Sequence, residues 1–210
     1  MRKSIEFSHA PLREGVTVSE LTTAILRFEE AYLAKRPAFL FHALVTNMEG
    51  RYGHFVVASD SSAFEQAMKD IPNVPEFGAL MAALDAEQIK MWHHTPLHDV
   101  ELPTHFGGFE QGMFRPNPSV DFTEALLLKR AKAVREAYLQ GHPEYLQQVI
   151  SSSKDGQYGE LVFTRSWGHA QQTCQGYLKS EVCGKMLELC DPESTDLSFW
   201  VPLVQRSFTQ

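Results

Sequence analysis

The sequence predicts an α+β protein made of two tandem copies of one unit, each running β-α-β-β-α-β. Three observations predict it. The string Glu30-Ala31-Tyr32-Leu33 returns as Glu136-Ala137-Tyr138-Leu139, and the same shift of 106 carries Pro37 to Pro143, Tyr52-Gly53 to Tyr158-Gly159 and Pro96-Leu97 to Pro202-Leu203. One offset that holds without a gap from residue 30 to residue 97 marks an internal repeat. The apolar spacing also switches between helical and strand periods at matching places in both copies. Finally, a glycine sits at the same turn position between two apolar runs, Gly50 in one copy and Gly156 in the other.

The elements follow in order. A strand over 4–10, or 110–116 in the second copy, comes first. Leu21, Ile25, Phe28 and Tyr32 then fall at helical spacing, matched by Leu127, Ala131, Val134 and Tyr138, and each helix ends before a proline, Pro37 or Pro143. Apolar runs at 39–46 and 145–152 read as second strands. Met48-Glu49-Gly50 and Lys154-Asp155-Gly156 supply turns into third strands, 54–59 and 160–165. Ser62-x-x-Glu65 resembles a capping box and opens a second helical region, which Pro72 and Pro75 interrupt. That region resumes over 76–84 or 182–190. Last strands at 88–95 and 194–201 close each copy.

Composition excludes several functions. The 210 residues carry 26 acidic and 19 basic side chains, a net charge of −7, with no run of Lys or Arg to meet a phosphate backbone. Nucleic acid is not an expected partner. No apolar run approaches the ~20 residues of a membrane span. Residues 1–6 have no apolar stretch behind their basic start, so no signal peptide is expected. Cys174, Cys183 and Cys190, odd in number and without paired metal-ligand spacing, read as reduced thiols in a cytoplasmic protein.

A four-stranded sheet with helices on one side leaves its other face bare, so two such sheets in one chain are expected to cover each other and close an intramolecular α+β barrel. The expected division is a first repeat over 1–97, a linker over 98–109 containing Pro103 and Gly107-Gly108, and a second repeat over 110–210. The motifs Tyr32-Leu33-x3-Pro37-x-Phe39-Leu40, Glu49-Gly50-Arg51-Tyr52 and Phe77-x2-Leu80-Met81-x2-Leu84-Asp85 make the resemblance specific. With Leu189-Cys190-Asp191-Pro192-Glu193-Ser194 echoing the last of them, the chain resembles tandem ferredoxin-like, antibiotic-biosynthesis-monooxygenase-like members of the dimeric α+β barrel superfamily. The resemblance implies a pseudo-dimer within one chain, with further homodimerisation left open. Its members include cofactor-independent monooxygenases, heme-degrading enzymes, chlorite dismutase-like proteins and polyketide cyclases.

Strand alternation divides the candidate chemistry between faces. One face of the central hairpin carries Leu40, His42, Leu44, His54, Val56 and Ala58, and the other Phe41, Ala43, Phe55 and Val57. The uniformly apolar face is expected under the helices, and the mixed face toward the barrel interior. Trp92, His94 and Trp200 on the last strands are assigned to that same interior. The expected pocket thus holds His42, His54 and His94 as bases, with Trp92, Trp200, Gln148 and Glu160 as ligand-binding groups, and suits a small apolar or aromatic ligand. His93, His94, His98 and His105 cluster in sequence, but adjacent His93 and His94 point to opposite faces and cannot share an ion, so no metal site is expected. Heme is disfavoured: the chain departs from the pattern that the resemblance implies for heme degradation, an Asn on the first strand, a Trp ending the third and a His on the second helix. The function expected is that of a small-molecule-binding barrel protein, with a cofactor-independent monooxygenase or isomerase acting on a small aromatic or polyketide-like compound as the enzymatic reading. The alternatives are a non-catalytic ligand- or heme-binding module, and an interaction protein whose pocket is filled by its own side chains.

Overall fold

A capping box starts the first long helix. Thr17 Oγ1 accepts from the backbone N–H of Glu20 (3.2 Å), and the Glu20 carboxylate accepts in return from the N–H of Thr17 (2.8 Å). The computed structural model describes residues 3–208. Its elements are β1 (Ser4–Pro11), α1 (Val18–Ala31), β2 (Phe39–Thr46), β3 (Arg51–Ala58), α2 (Ser62–Asp70), α3 (Pro75–Ala83) and β4 (Lys90–Pro96). The second copy repeats them as β5 (Gly108–Phe114), α4 (Glu124–Ala137), β6 (Tyr145–Ser152), β7 (Tyr158–Thr164), α5 (Trp167–Tyr177), α6 (Glu181–Leu187) and β8 (Asp196–Ser207). The protein is mixed α+β, as expected. Among the described residues, no helix is long and apolar enough to cross a membrane.

The chain forms two compact units. Unit 1 takes residues 3–95 and 202–208, and unit 2 residues 96–201. In unit 1 the strands run β4-β1-β3-β2, all antiparallel. In unit 2 they run β8-β5-β7-β6, again antiparallel. The segment after each fourth strand is anchored by backbone: Leu97 N–H donates to Ile150 O (2.8 Å) in unit 2, and Phe208 N–H to Leu40 O (2.9 Å) in unit 1.

Both hairpins turn on a glycine with positive φ, +73° at Gly50 and +78° at Gly156, a conformation that side chains with a Cβ avoid. The expected register holds, with His42 opposite Val56 and Leu44 opposite His54. Two local readings change. Ser62 is the first residue of its helix rather than the cap, and its N–H is taken by the Asp60 carboxylate (2.8 Å). The first strand of the second copy begins at Gly108, earlier than 110, and Gly107-Gly108 is no slack linker. Gly107 N–H donates to Thr164 O (2.9 Å), and a Cβ on Gly108 would stand 2.6 Å from the Trp167 Cα.

The larger correction concerns the faces of the sheet. In unit 1 the face carrying Leu44, Val56 and Ala58 packs under Leu21, Ile25 and Phe28 of α1, Phe64 of α2 and Leu80 of α3. The mixed face is therefore the helix-covered one, the reverse of the expectation. Phe7, Phe41, Phe55 and Val57 occupy the opposite face and are buried as well. With both faces buried, apolar uniformity no longer tells which one the helices cover. Unit 2 repeats the arrangement, with Ile150 and Val162 packed against Leu127, Val134 and Tyr177.

Candidate functional site

His42 and His54 stand on the helix-covered face of unit 1, diagonal across the β2–β3 pair. Helix α1 brings Glu29 down onto them. Glu29 lies four residues after Ile25 and eight after Leu21, on the buried stripe of its helix, and its side chain is wholly buried. Its carboxylate takes a short hydrogen bond from His42 Nδ1. His42 Nε2 lies 3.0 Å from His54 Nδ1. Arg206, in the part of β8 that belongs to unit 1, places Nη1 3.7 Å from the other Glu29 oxygen.

The order of donors follows from the inventory of each group. A carboxylate only accepts, so His42 carries its proton on Nδ1. With His42 neutral, its bare Nε2 accepts from His54 Nδ1–H, which leaves a lone pair on His54 Nε2. That nitrogen is buried and has no hydrogen-bond partner among the described residues. Burial first, and the neighbouring His42 second, hold the His54 pKa well below the usual imidazole value, so the ring is neutral at pH 7.

His54 lines a cavity of about 230 Å3 between this face and helices α2 and α3. Its walls are apolar, with Phe28, Phe39, Phe64 and Leu80 among them, and Met68 and Met91, both well exposed, stand at its rim. Besides His54, its polar groups include Glu6 and Ser8 of β1. Glu6 lies opposite Val56 in the β1–β3 register, and its Oε2 is 3.6 Å from His93 Nδ1. Burial pushes its carboxyl up to about 7. A neutral imidazole with an available lone pair and a carboxyl poised near neutrality thus line one apolar cavity. Together they are a base and an acid.

The expected triad of histidines does not assemble. His94 lies two residues beyond Trp92 on β4, and Trp92 stacks on Phe7 (6.1 Å between ring centroids) on the face turned away from the helices. His42 and His54 therefore share one site, while His94 and Trp92 are separated from them by the thickness of the sheet. Trp200 is likewise remote from the helix-covered side of unit 2. Its Nε1 donates to Ser198 Oγ (2.9 Å), while Phe199 and Leu197 point the other way, into a unit 2 cavity. Glu160 does line that cavity, and Gln148 supports it, donating from Nε2 to Glu160 Oε1 (2.6 Å). Glu29 and Glu6 were missed at the level of sequence. A carboxylate at a core position of the α1 stripe was the available signal for Glu29, and strand parity with Ser8 and Ser4 was the one for Glu6.

Among the described residues, no group of three or more His, Cys, Asp and Glu side chains could hold a metal ion. Heme fits poorly. His54 Nε2 is the right kind of ligand atom, but a cavity of about 230 Å3 lies below the usual ~300–1,000 Å3 of ligand pockets and suits only a compact compound, not a porphyrin. Apolar core side chains form the walls that a macrocycle would have to displace.

No family model matches the chain, and no curated sequence does. Solved structures do match it. A provisionally assigned monooxygenase of Fusobacterium nucleatum superposes with a TM-score of 0.69 at 8% identity, covering 98% of this chain and 94% of its own. A protein of Lactobacillus acidophilus with the same provisional assignment gives 0.64 at 10% identity, with 99% and 97% covered. An anthrone oxidase-like protein gives 0.63 at 10% identity, with 100% and 95% covered. At such identities the likeness is one of fold alone, and over nearly its whole length this chain shares the α+β fold of those structures.

Proposed function

We propose that the unit 1 cavity binds a small, flat, largely apolar compound with an acidic C–H beside a carbonyl, and that His54 removes that proton. The observation that carries the reading is the buried row Glu29–His42–His54, which ends on an unpartnered nitrogen of a residue that lines an apolar cavity. When His54 Nε2 accepts the proton, its Nδ1 proton can pass to His42 Nε2, and the positive charge comes to rest on the imidazolium beside Glu29. Glu6, protonated below about pH 7, can donate to the carbonyl oxygen as it becomes an enolate. The dry walls keep the carbanion from being reprotonated by bulk water.

An enolate of this kind reacts directly with dioxygen, without a cofactor. With an anthrone as substrate, whose methylene is acidic through the ring that joins it to the carbonyl, the balance closes: the methylene carbon loses two hydrogens and gains one oxygen atom, and the second oxygen atom leaves as water. The fold likeness to an anthrone oxidase-like protein makes anthrone the first compound to try. The test is oxygen uptake with anthrone, together with deuterium exchange at the α-carbon of 2-tetralone in D2O. Wild type should accelerate both, and His54→Gln should lose about 10²–10⁴ of the rate, the share typical of a general base. Equal rates in wild type and variant would defeat the reading. Saturable binding with neither exchange nor oxygen uptake would instead favour a binding protein.

A further inference from the structure

Unit 2 encloses a cavity of about 310 Å3 between the helix-covered face of its sheet and helices α5 and α6. Phe114, Met186, Leu197 and Phe199 help to wall it, and Leu178, 85% exposed, stands at its edge. Two carboxyl groups reach it, Glu110 from β5 and Glu160 from β7, only 3% and 6% exposed. Among the described residues lining it there is no Lys, Arg or His.

The two acids are not equally provided for. Glu160 Oε1 accepts from Gln148 Nε2 (2.6 Å) and from the Tyr177 hydroxyl (3.1 Å). Glu110 shares a hydrogen bond with the Cys174 thiol, but its Oε2 is buried and has no hydrogen-bond partner among the described residues. A buried carboxyl oxygen on a residue that lines an apolar cavity, beside a second carboxyl and with no cation among the lining residues, lacks both a donor and a counter-charge.

We propose that this cavity binds an apolar organic amine, with its ammonium group between Glu110 and Glu160 and its hydrocarbon body against the Leu and Phe walls. An ammonium brings three N–H donors, enough to reach Glu110 Oε2 and the Glu160 carboxylate together. Its charge also cancels the repulsion between the two acids. An anionic ligand would meet two carboxyls and no cation.

Binding should be linked to protons. Burial first, and the charge of Glu160 second, push Glu110 up to about 8, so at neutral pH it holds a proton that the ammonium must displace. The titratable groups around it are Glu160 from β7, Cys174 and Tyr177 from α5, Cys183 from α6 and Tyr138 after α4. Burial pushes these thiols and phenols up, away from neutrality, so the carboxyl pair is what changes charge between pH 6 and 8.

The experiment is calorimetric titration of the full chain with 2-phenylethylamine, in two buffers of different ionisation heat. 2-Phenylethanol and 3-phenylpropanoate serve as neutral and anionic probes of similar shape. The amine should bind saturably with release of about one proton near pH 6.5, and its affinity should rise about tenfold per pH unit until Glu110 ionises. Glu110→Gln, near in shape, should weaken the amine about tenfold or more and abolish the proton release. Should that variant fail to fold, the wild-type pH series and buffer pair decide alone. The proposal is overturned if the alcohol binds as tightly as the amine. It is equally overturned by affinity that falls from pH 6 to 8, or by no saturable binding of the amine.

Discussion

The two cavities occupy the same place in two copies of one fold, yet they carry opposite chemistry. At positions related by the repeat, unit 1 has Glu29, His42 and His54 where unit 2 has Arg135, Gln148 and Glu160. Ser4 of β1 likewise becomes Glu110 of β5, and Glu6 becomes Gly112. In unit 1 a carboxylate lies behind two imidazoles and leaves a neutral base facing the cavity. In unit 2 an amide and a phenol support one carboxyl, and a second carboxyl lines the cavity with one oxygen unpartnered. The shared backbone supplies a dry space between sheet and helices. What that space can do is set by a handful of polar substitutions, which change what can donate, accept or carry charge there.

The comparison can be broken most directly at the α1 and α4 stripes. Glu29→Ala strips the carboxylate from His42 and from Arg206 within a wholly buried site, and should cost about 3–5 kcal/mol. Arg135→Ala, at the matching position of unit 2, should cost less than about 0.5 kcal/mol, because Arg135 is half-exposed. Urea unfolding of the two variants measures both, and equal costs would show that the two stripes do not differ as described.

Next in size are the pH dependences of Glu6 and Glu110. Both carboxyls are raised in the folded state, so the native protein holds protons that the unfolded chain gives up at about its ordinary value of 4.5. Stability should therefore fall as pH rises from about 4.5, levelling off near 7 for Glu6 and near 8 for Glu110. For Glu6 the whole window is worth about 3 kcal/mol, at about 1.4 kcal/mol per pKa unit. Melting curves from pH 4 to 9 should show Glu6→Gln making the decline between about 4.5 and 7 shallower, and Glu110→Gln doing the same there and also removing the decline from 7 to 8. His54 gives the opposite slope. Its depressed pKa makes stability fall as pH drops below about 6.5, and His54→Gln should flatten that limb.

The smallest effect sharpens the comparison by testing where the units agree. Gly50→Ala and Gly156→Ala each force a Cβ into a positive-φ turn, and each should cost about 1 kcal/mol. Matching values would separate the shared scaffold from the differing sites, and a large inequality would mean that the two hairpins are not equivalent.

Much of this was legible in residues 30–97 and their echo. The repeat, the helix stripes and the hairpin register depend on local periodicity and turn chemistry, which a sequence displays directly. The pairing of His42 with His54 follows from strand parity alone. Glu29 left a signal that went unread, a carboxylate on an apolar stripe. Glu110 was obscured by an expected strand start of 110, which put it at the tip of the strand, whereas β5 begins at Gly108 and holds it inside the register.

By itself, then, the sequence determined the two-copy architecture, the register of each hairpin and which side chains share a face, because these rest on interactions between near neighbours in the chain. Only the tertiary structure decided which face the helices cover. That choice depends on whether a distant residue can satisfy a buried polar group. Glu29 meets His42 beneath α1, and Tyr177 of α5 meets Glu160 in unit 2, so the polar face becomes the stable inner one. The same packing separates His94 and Trp92 from His42 and His54, and leaves His54 Nε2 and Glu110 Oε2 unpartnered on residues that line cavities no local pattern could have located.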